Sequence, residues 1–197
     1  LTLGLRRDSY SDFGSHLSPR VGLVQQWGDK DTFKFLYSEA FRAPSRIETS
    51  VINSSGFEKN PGLQPETAKT TELVWLHLFA NGYVSTTAFD TQVSNAIVET
   101  VTSQLKRSWG NSQQSVAGLE LEWQNNWSEH WQSRVALTRI VNPVGYIHTE
   151  SSTLLSGSLS YQNSPWVCSL IANYQGAKRD PNEQEVPANI ITTEFTD

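Results

Sequence analysis

The chain has 197 residues and a formal net charge of −5, from 15 Lys+Arg against 20 Asp+Glu. Charged residues make up 18%, below the roughly 25% of an ordinary soluble domain, and Ser, Thr, Asn and Gln stand in their place. Mild acidity without a basic block excludes an electrostatic nucleic-acid binder, and an aromatic content of 11% excludes a disordered chain.

No stretch reaches the roughly 18 unbroken apolar residues of a membrane helix; the best run, Leu73–Ala80, is short and holds His77. Cys168 stands alone, so neither an internal disulfide nor a Cys-rich metal site is available. The chain has no methionine and opens Leu1-Thr2-Leu3-Gly4, which reads as a processed chain or an internal piece of a longer one. The lack of a signal peptide therefore says nothing of compartment.

Taken in chain order, the pattern has period two. Val21, Leu23 and Trp27 oppose Arg20, Gly22 and Gln26. Phe33, Phe35 and Tyr37 oppose Lys34 and Ser38. Ala117, Leu119, Leu121 and Trp123 oppose Gly118, Glu120, Glu122 and Gln124. Trp131, Val135 and Leu137 oppose Gln132, Arg134 and Thr138, and Leu155, Gly157, Leu159 and Tyr161 oppose Ser156, Ser158, Ser160 and Gln162. Such alternation is that of strands with one apolar and one polar face. It predicts an all-β antiparallel fold of about ten strands, near 1–9, 18–27, 31–40, 67–80, 83–93, 113–125, 131–141, 154–163, 166–176 and 190–197.

The predicted connections alternate in length. Gly28 to Lys30, Ala80 to Gly82, Asn126 to His130 and Asn163 to Pro165 are short; 10–17, 41–66, 94–112, 142–153 and 177–189 are long. In an antiparallel meander this gathers short turns at one end and long loops at the other, as in barrels that span an outer membrane. Ten residues at about 3.3 Å, tilted roughly 40°, climb about 25 Å, the height of such a barrel's apolar band. Trp27, Trp123, Trp127, Trp131 and Trp166 lie at or near the short turns, whereas Trp75 is further up its strand and Trp109 falls in a long link. Either these rings form an interfacial girdle, or they are core aromatics of a soluble β-fold.

Several stretches carry a family resemblance. Tyr37-Ser38-Glu39-Ala40-Phe41-Arg42-Ala43-Pro44-Ser45 is followed by Asn60-Pro61-Gly62-Leu63-Gln64-Pro65-Glu66 and Lys69-Thr70-Thr71-Glu72-Leu73. Upstream stands Leu17-Ser18-Pro19-Arg20-Val21-Gly22-Leu23-Val24; downstream stand Ala88-Phe89-Asp90, Asn95-Ala96-Ile97-Val98 and Gly118-Leu119-Glu120-Leu121-Glu122. In this order the stretches, spread over about residues 1–141, resemble the barrel of TonB-dependent outer-membrane receptors. The resemblance implies a transmembrane barrel of 22 strands, of which residues 1–197 would be a partial domain lacking the plug. It also implies a Gram-negative outer-membrane location with lipid around the barrel. The partners it implies are the TonB energy-transducing complex, reached through the plug, and a small-molecule chelate, most often a ferric siderophore.

On that reading Arg20, Lys34, Glu72, Glu120, Glu122 and Arg134 line the lumen, since Arg or Lys facing mid-bilayer would cost roughly 2–4 kcal/mol. Arg42, Arg46, Lys106, Arg107 and Trp109 belong to the external loops, where cationic and aromatic groups suit an anionic aromatic chelate. No catalytic, metal or cofactor site is expected. His16, His77, His130 and His148 have no ligand spacing, Trp127-Ser128-Glu129-His130 lacks a nucleophile elbow, and Cys168 falls on the apolar face. The alternatives are a passive outer-membrane pore and a secreted β-sandwich that binds polysaccharide through exposed tryptophans.

Overall fold

A computed structural model describes residues 1–50, 58–101, 106–145, 151–179, 185–186 and 189–196. Strands β1 (Thr2–Tyr10), β2 (Gly14–Trp27), β3 (Asp31–Arg42), β4 (Glu66–Phe79), β5 (Gly82–Val101), β6 (Arg107–Asn126), β7 (Trp131–Val144), β8 (Thr153–Asn163) and β9 (Trp166–Gln175) form an antiparallel meander. It is completed by β12 (Asn189–Thr196), each strand pairing with its sequence neighbour in the sheet and β1 and β12 forming the edges. A one-turn helix α1 (Arg46–Ser50) follows β3, and a small ladder joins β10 (Lys178–Arg179) to β11 (Glu185–Val186). His148 lies outside the described residues.

Register carries the alternation across the whole sheet. Val21 pairs with Tyr37 and Leu23 with Phe35; Phe35 pairs with Leu73 and Phe33 with Trp75. The row continues through Leu73–Ala88, Ala88–Leu119, Leu121–Leu137, Leu137–Leu155 and Leu159–Leu170. One face is therefore apolar from β1 to β9, because the side-chain period is two and no slip interrupts these rows. Cys168 lies on it, exposed, opposite Tyr161.

The other face holds Arg20, Lys34, Glu72, Glu120, Glu122 and Arg134. There Tyr83 Oη donates to Glu122 Oε1 at 2.6 Å, Arg134 Nη2 donates to Gln124 Oε1 at 2.7 Å, and Thr70 and Thr91 hydroxyls meet at 3.0 Å. Glu122 is thus bonded into a polar network with Tyr83 and Arg134. Leu36, Val74, Leu76 and Phe89 also stand on this face. Phe89 lies across Gly118, where a Cβ would meet its ring and the Arg139 carbonyl oxygen at 2.6 Å each.

The described residues form one layer, not two. Leu63 and Ala96 are their only buried hydrophobic residues, while Leu23, Leu73, Leu119 and Leu170 are about half exposed. A sandwich hides its apolar faces between two sheets; this sheet packs its apolar face against nothing of its own. The polysaccharide-binding sandwich expected as an alternative therefore does not form.

The short turns lie where expected, and Gly28 takes φ +62 in the first of them, a conformation that costs glycine no steric clash. At the opposite end two expectations are corrected. Residues 10–17 are not a long link: β1 and β2 pair up to Tyr10 and Gly14. Likewise 94–112 is mostly ladder, since β5 and β6 stay paired from Gly82–Asn125 to Val101–Arg107. Twenty residues per strand climb roughly 50 Å at about 40° tilt, so this hairpin stands well beyond a 25 Å apolar band. Loop-like composition misled there because Ser, Asn and Thr pair as readily as any residue when their backbones meet a partner.

Candidate functional site at the long-loop end

Three of the stretches that carry the family resemblance, the end of β3 with Pro44 and Ser45, Asn60 to Glu66, and Asn95 to Val98, converge at one end of the sheet. β5 bulges between Val93 and Ala96, with Asn95 at φ 56; a short polar side chain tolerates that left-handed conformation better than a branched one. Beyond the bulge, β7 no longer covers β6, because their pairing stops at Ser115–Val144. The free edge of β6 is covered instead by the chain returning from α1. The Glu58 amide donates to the Arg107 carbonyl at 2.7 Å. Asn60 Nδ2 donates to the Trp109 carbonyl at 2.8 Å while its Oδ1 accepts from the Gly62 amide. Asn111 Oδ1 accepts from the Gln64 amide, and its Nδ2 donates to the carbonyls of Gln64 and Asn95. Leu63 is buried in this clamp with Ala96 and Ser108. Bare β-edges template aggregation, and this one is paired off by side chains and loop backbone.

Arg42 anchors the other side. Its Nη1 donates to Glu48 Oε1 at 3.0 Å and its Nη2 to Glu66 Oε2 at 3.3 Å. Glu66 Oε2 also accepts from the Ile97 amide at 2.9 Å. Ser45 and Glu48 form a reciprocal N-terminal cap on α1: the Ser45 amide donates to Glu48 Oε2 at 2.6 Å and the Glu48 amide to Ser45 Oγ at 3.3 Å. Burial pushes the Glu48 carboxyl up, but the Ser45 amide and the Arg42 guanidinium outweigh it and hold the group below the usual glutamate range.

Each candidate ligand contact is thereby located. Arg42 is committed to two carboxylates, and α1, which carries exposed Arg46, packs against β6. Lys106, exposed, precedes the first residue of β6. Arg107 forms a two-pronged ion pair with Glu99 across the hairpin. Trp109 is half-buried on strand β6 rather than in a loop, and with Ile97, Val98 and Val101 it lines a recess of about 490 Å³. All five residues are gathered at one end. Sequence reasoning missed Glu48, Asn60 and Asn111, whose roles depend on partners up to 49 residues away; only the Ser45-x-x-Glu48 capping spacing was a local signal.

At the opposite end Trp27, Trp127, Trp131 and Trp166 are exposed, and Trp127 packs its ring edge-on to Trp123 at 5.8 Å while donating to Ser133 Oγ at 2.7 Å. Trp131 lies 4.8 Å from Tyr161.

The family model for the β-barrel of TonB-dependent receptors matches residues 1–190. The chain belongs to the TonB-dependent receptor family. The ferric enterobactin receptor PirA of Pseudomonas aeruginosa is 30% identical over 191 residues, covering 78% of this chain and 25% of that protein. An iron-regulated outer membrane virulence protein of Vibrio cholerae is 36% identical over 103 residues, covering 49% of this chain and 16% of that protein. The crystal structure of the siderophore receptor PirA from Pseudomonas aeruginosa superposes with a TM-score of 0.77 at 25% identity over 88% of this chain and 33% of that one. A variant of the ferric enterobactin receptor PfeA from the same organism, in complex with enterobactin, shares the fold at a TM-score of 0.80 and 18% identity, over 96% of this chain and 34% of that one. The chain thus spans about a sixth to a quarter of the curated relatives it matches. It is part of an outer-membrane β-barrel of Gram-negative type, in a family of transport receptors, with its apolar face toward lipid and its polar face toward the lumen.

Proposed function

We propose that the chain works within a receptor that imports a ferric siderophore, of the enterobactin class, across the outer membrane with energy delivered by the TonB complex through a plug domain. Residues 1–197 contribute part of the barrel wall, and transport involves no covalent chemistry by these residues. The observation that carries this is the match to PirA, named a ferric enterobactin receptor, over most of the chain. The polar lumen face, with its patch of Leu36, Val74, Leu76 and Phe89, offers a wall against which a plug can pack. At the outer end, Arg46 and Lys106 supply positive charge and Trp109 a ring for an anionic aromatic chelate, while Arg42 and Arg107 are held by carboxylates of the scaffold. At the periplasmic end Trp27, Trp123, Trp127, Trp131 and Trp166 sit at the headgroup level.

The test is uptake of radiolabelled ferric enterobactin by an iron-starved strain that carries only the full-length receptor. Uptake that stops on deletion of TonB is expected; uptake that persists without TonB would make the protein a passive pore. Trp109→Ala in the full-length receptor is expected to weaken chelate binding about ten-fold, the loss of one desolvated aromatic stacking contact, read by quenching of tryptophan fluorescence.

A further inference from the structure

The outward, lipid-facing surface is not uniformly apolar at its periplasmic end. Asp31, the first residue of β3, stands in the same row as Trp27 and His77. Trp75 Nε1 donates to Asp31 Oδ1 at 2.8 Å, and His77 Nδ1 meets the same oxygen at 2.8 Å; a carboxylate accepts only, so the imidazole proton is on Nδ1. Asp31 Oδ2 accepts no hydrogen bond among the described residues, and the side chain remains about a third exposed. Lys30 is next in the chain, but Asp29 precedes it, so this turn keeps one negative charge. A carboxylate with one oxygen left open at the lipid headgroup level, in the row of Trp27, is matched by a cationic group.

Directly above it runs a groove of about 380 Å³, within the roughly 300–1,000 Å³ of small-molecule sites. Leu23, Phe33, Phe35, Leu73 and Trp75 line it, and Ala88 keeps it deep where a longer side chain would fill it. Trp75 belongs to both features: its ring lines the groove and its indole N–H holds Asp31. Gln25, exposed and opposite Phe33, adds a polar group at the lower part of the groove.

We propose that this groove, together with Asp31, is a site for one aminophospholipid of the periplasmic leaflet, an acyl chain in the groove and the headgroup ammonium on Asp31 Oδ2. The apolar groove selects a hydrocarbon chain, and the carboxylate selects a primary ammonium over an anionic headgroup. Gln25 lies at the depth of the ester linkages. The proposal needs the lipid-facing placement of this surface, not the identity of the transported chelate.

The experiment is native mass spectrometry of the full-length receptor in detergent, titrated in parallel with phosphatidylethanolamine and phosphatidylglycerol. One retained phosphatidylethanolamine is expected, with about ten-fold weaker retention in Asp31→Asn, the loss of one charge-assisted hydrogen bond. Asp31→Glu is expected to restore the preference. Asp90→Asn, on the same face toward the other end, is expected to leave it unchanged. Equal retention of the two lipids, unaltered retention in Asp31→Asn, or a second receptor copy replacing the lipid overturns the proposal. If Asp31→Asn fails to fold, as read by loss of heat-modifiable gel mobility, the comparison of the two lipids on the wild-type receptor decides alone.

Discussion

Arg42 shows how a residue that looks like a ligand contact serves the scaffold. A cation at a strand end invites an anionic ligand, yet here two carboxylates from different elements converge on it, and Glu48 among them also caps α1. Because the native partners of Glu48 favour its ionised form, it adds stability that is complete above the ordinary glutamate value of about 4.3 and is lost as pH falls through the lowered native value. The melting temperature of the full-length receptor is therefore expected to exceed that of Glu48→Gln by a constant margin from neutral pH down to about 5, and the margin to close below about 4. A margin that widens in acid would reverse the sign of this argument. Leu63 is the matching apolar case: nearly inaccessible inside the clamp, it is expected to cost about 2–5 kcal/mol when cut to alanine, read as a lower denaturant midpoint.

Among the elements, the β5–β6 hairpin is where local composition and final structure part most. Ser94, Asn95, Thr100, Ser108, Asn111 and Ser112 look like loop residues, yet all lie in strands that rise far past the apolar band. Pairing with each other satisfies their backbones on one side, and the Glu58 amide and the Asn60 side chain satisfy the exposed edge of β6 on the other, while Asn111 holds the Gln64 backbone beside it. The clamp fixes the return of the β3–β4 connection, so Asn111→Ala is expected to raise amide exchange at Gln64 and to speed proteolysis within residues 58–65, while the lower strands remain protected. In the lower part Gly118 gives a sharper test. Any side chain there meets Phe89 and the Arg139 carbonyl, so Gly118→Val is expected to lower the temperature at which the barrel loses its heat-modifiable gel mobility.

For the molecule as a whole, the decisive quantity is which face meets hydrocarbon. Leu121 and Glu122 are neighbours in sequence with opposite surroundings: Leu121 pairs with Leu137 on the apolar face, and Glu122 bonds Tyr83 on the polar one. Leu121→Arg is expected to destabilise the folded receptor by roughly 2–4 kcal/mol in bilayers, depending on depth. Ala136→Arg, on the lumen face opposite Glu122, is expected to change stability by less than about 0.5 kcal/mol, as a solvated surface substitution does. Equal costs at the two sites would contradict the assignment of faces. The same inside-out arrangement explains why so few of the described residues are buried: lipid and lumen, not a second sheet, are what the two faces meet.

The sequence by itself determined the class of fold, because a side-chain period of two needs no partner to be read, and short apolar–polar alternations between turn residues leave little else. It also located seven of the ten main strands to within a few residues and placed five tryptophans toward one end. The limits of β2, β5 and β6 and the true length of the upper connections were decided by tertiary structure, since polar residues become strand only when a neighbouring backbone arrives to pair with them. The clamp of Asn60, Leu63, Asn111 and Glu66 and the carboxylate of Asp31 beside an apolar groove were likewise decided there. Each depends on groups some 30 to 49 residues apart in the chain, and no local pattern encodes which distant backbone a given asparagine or aspartate will meet.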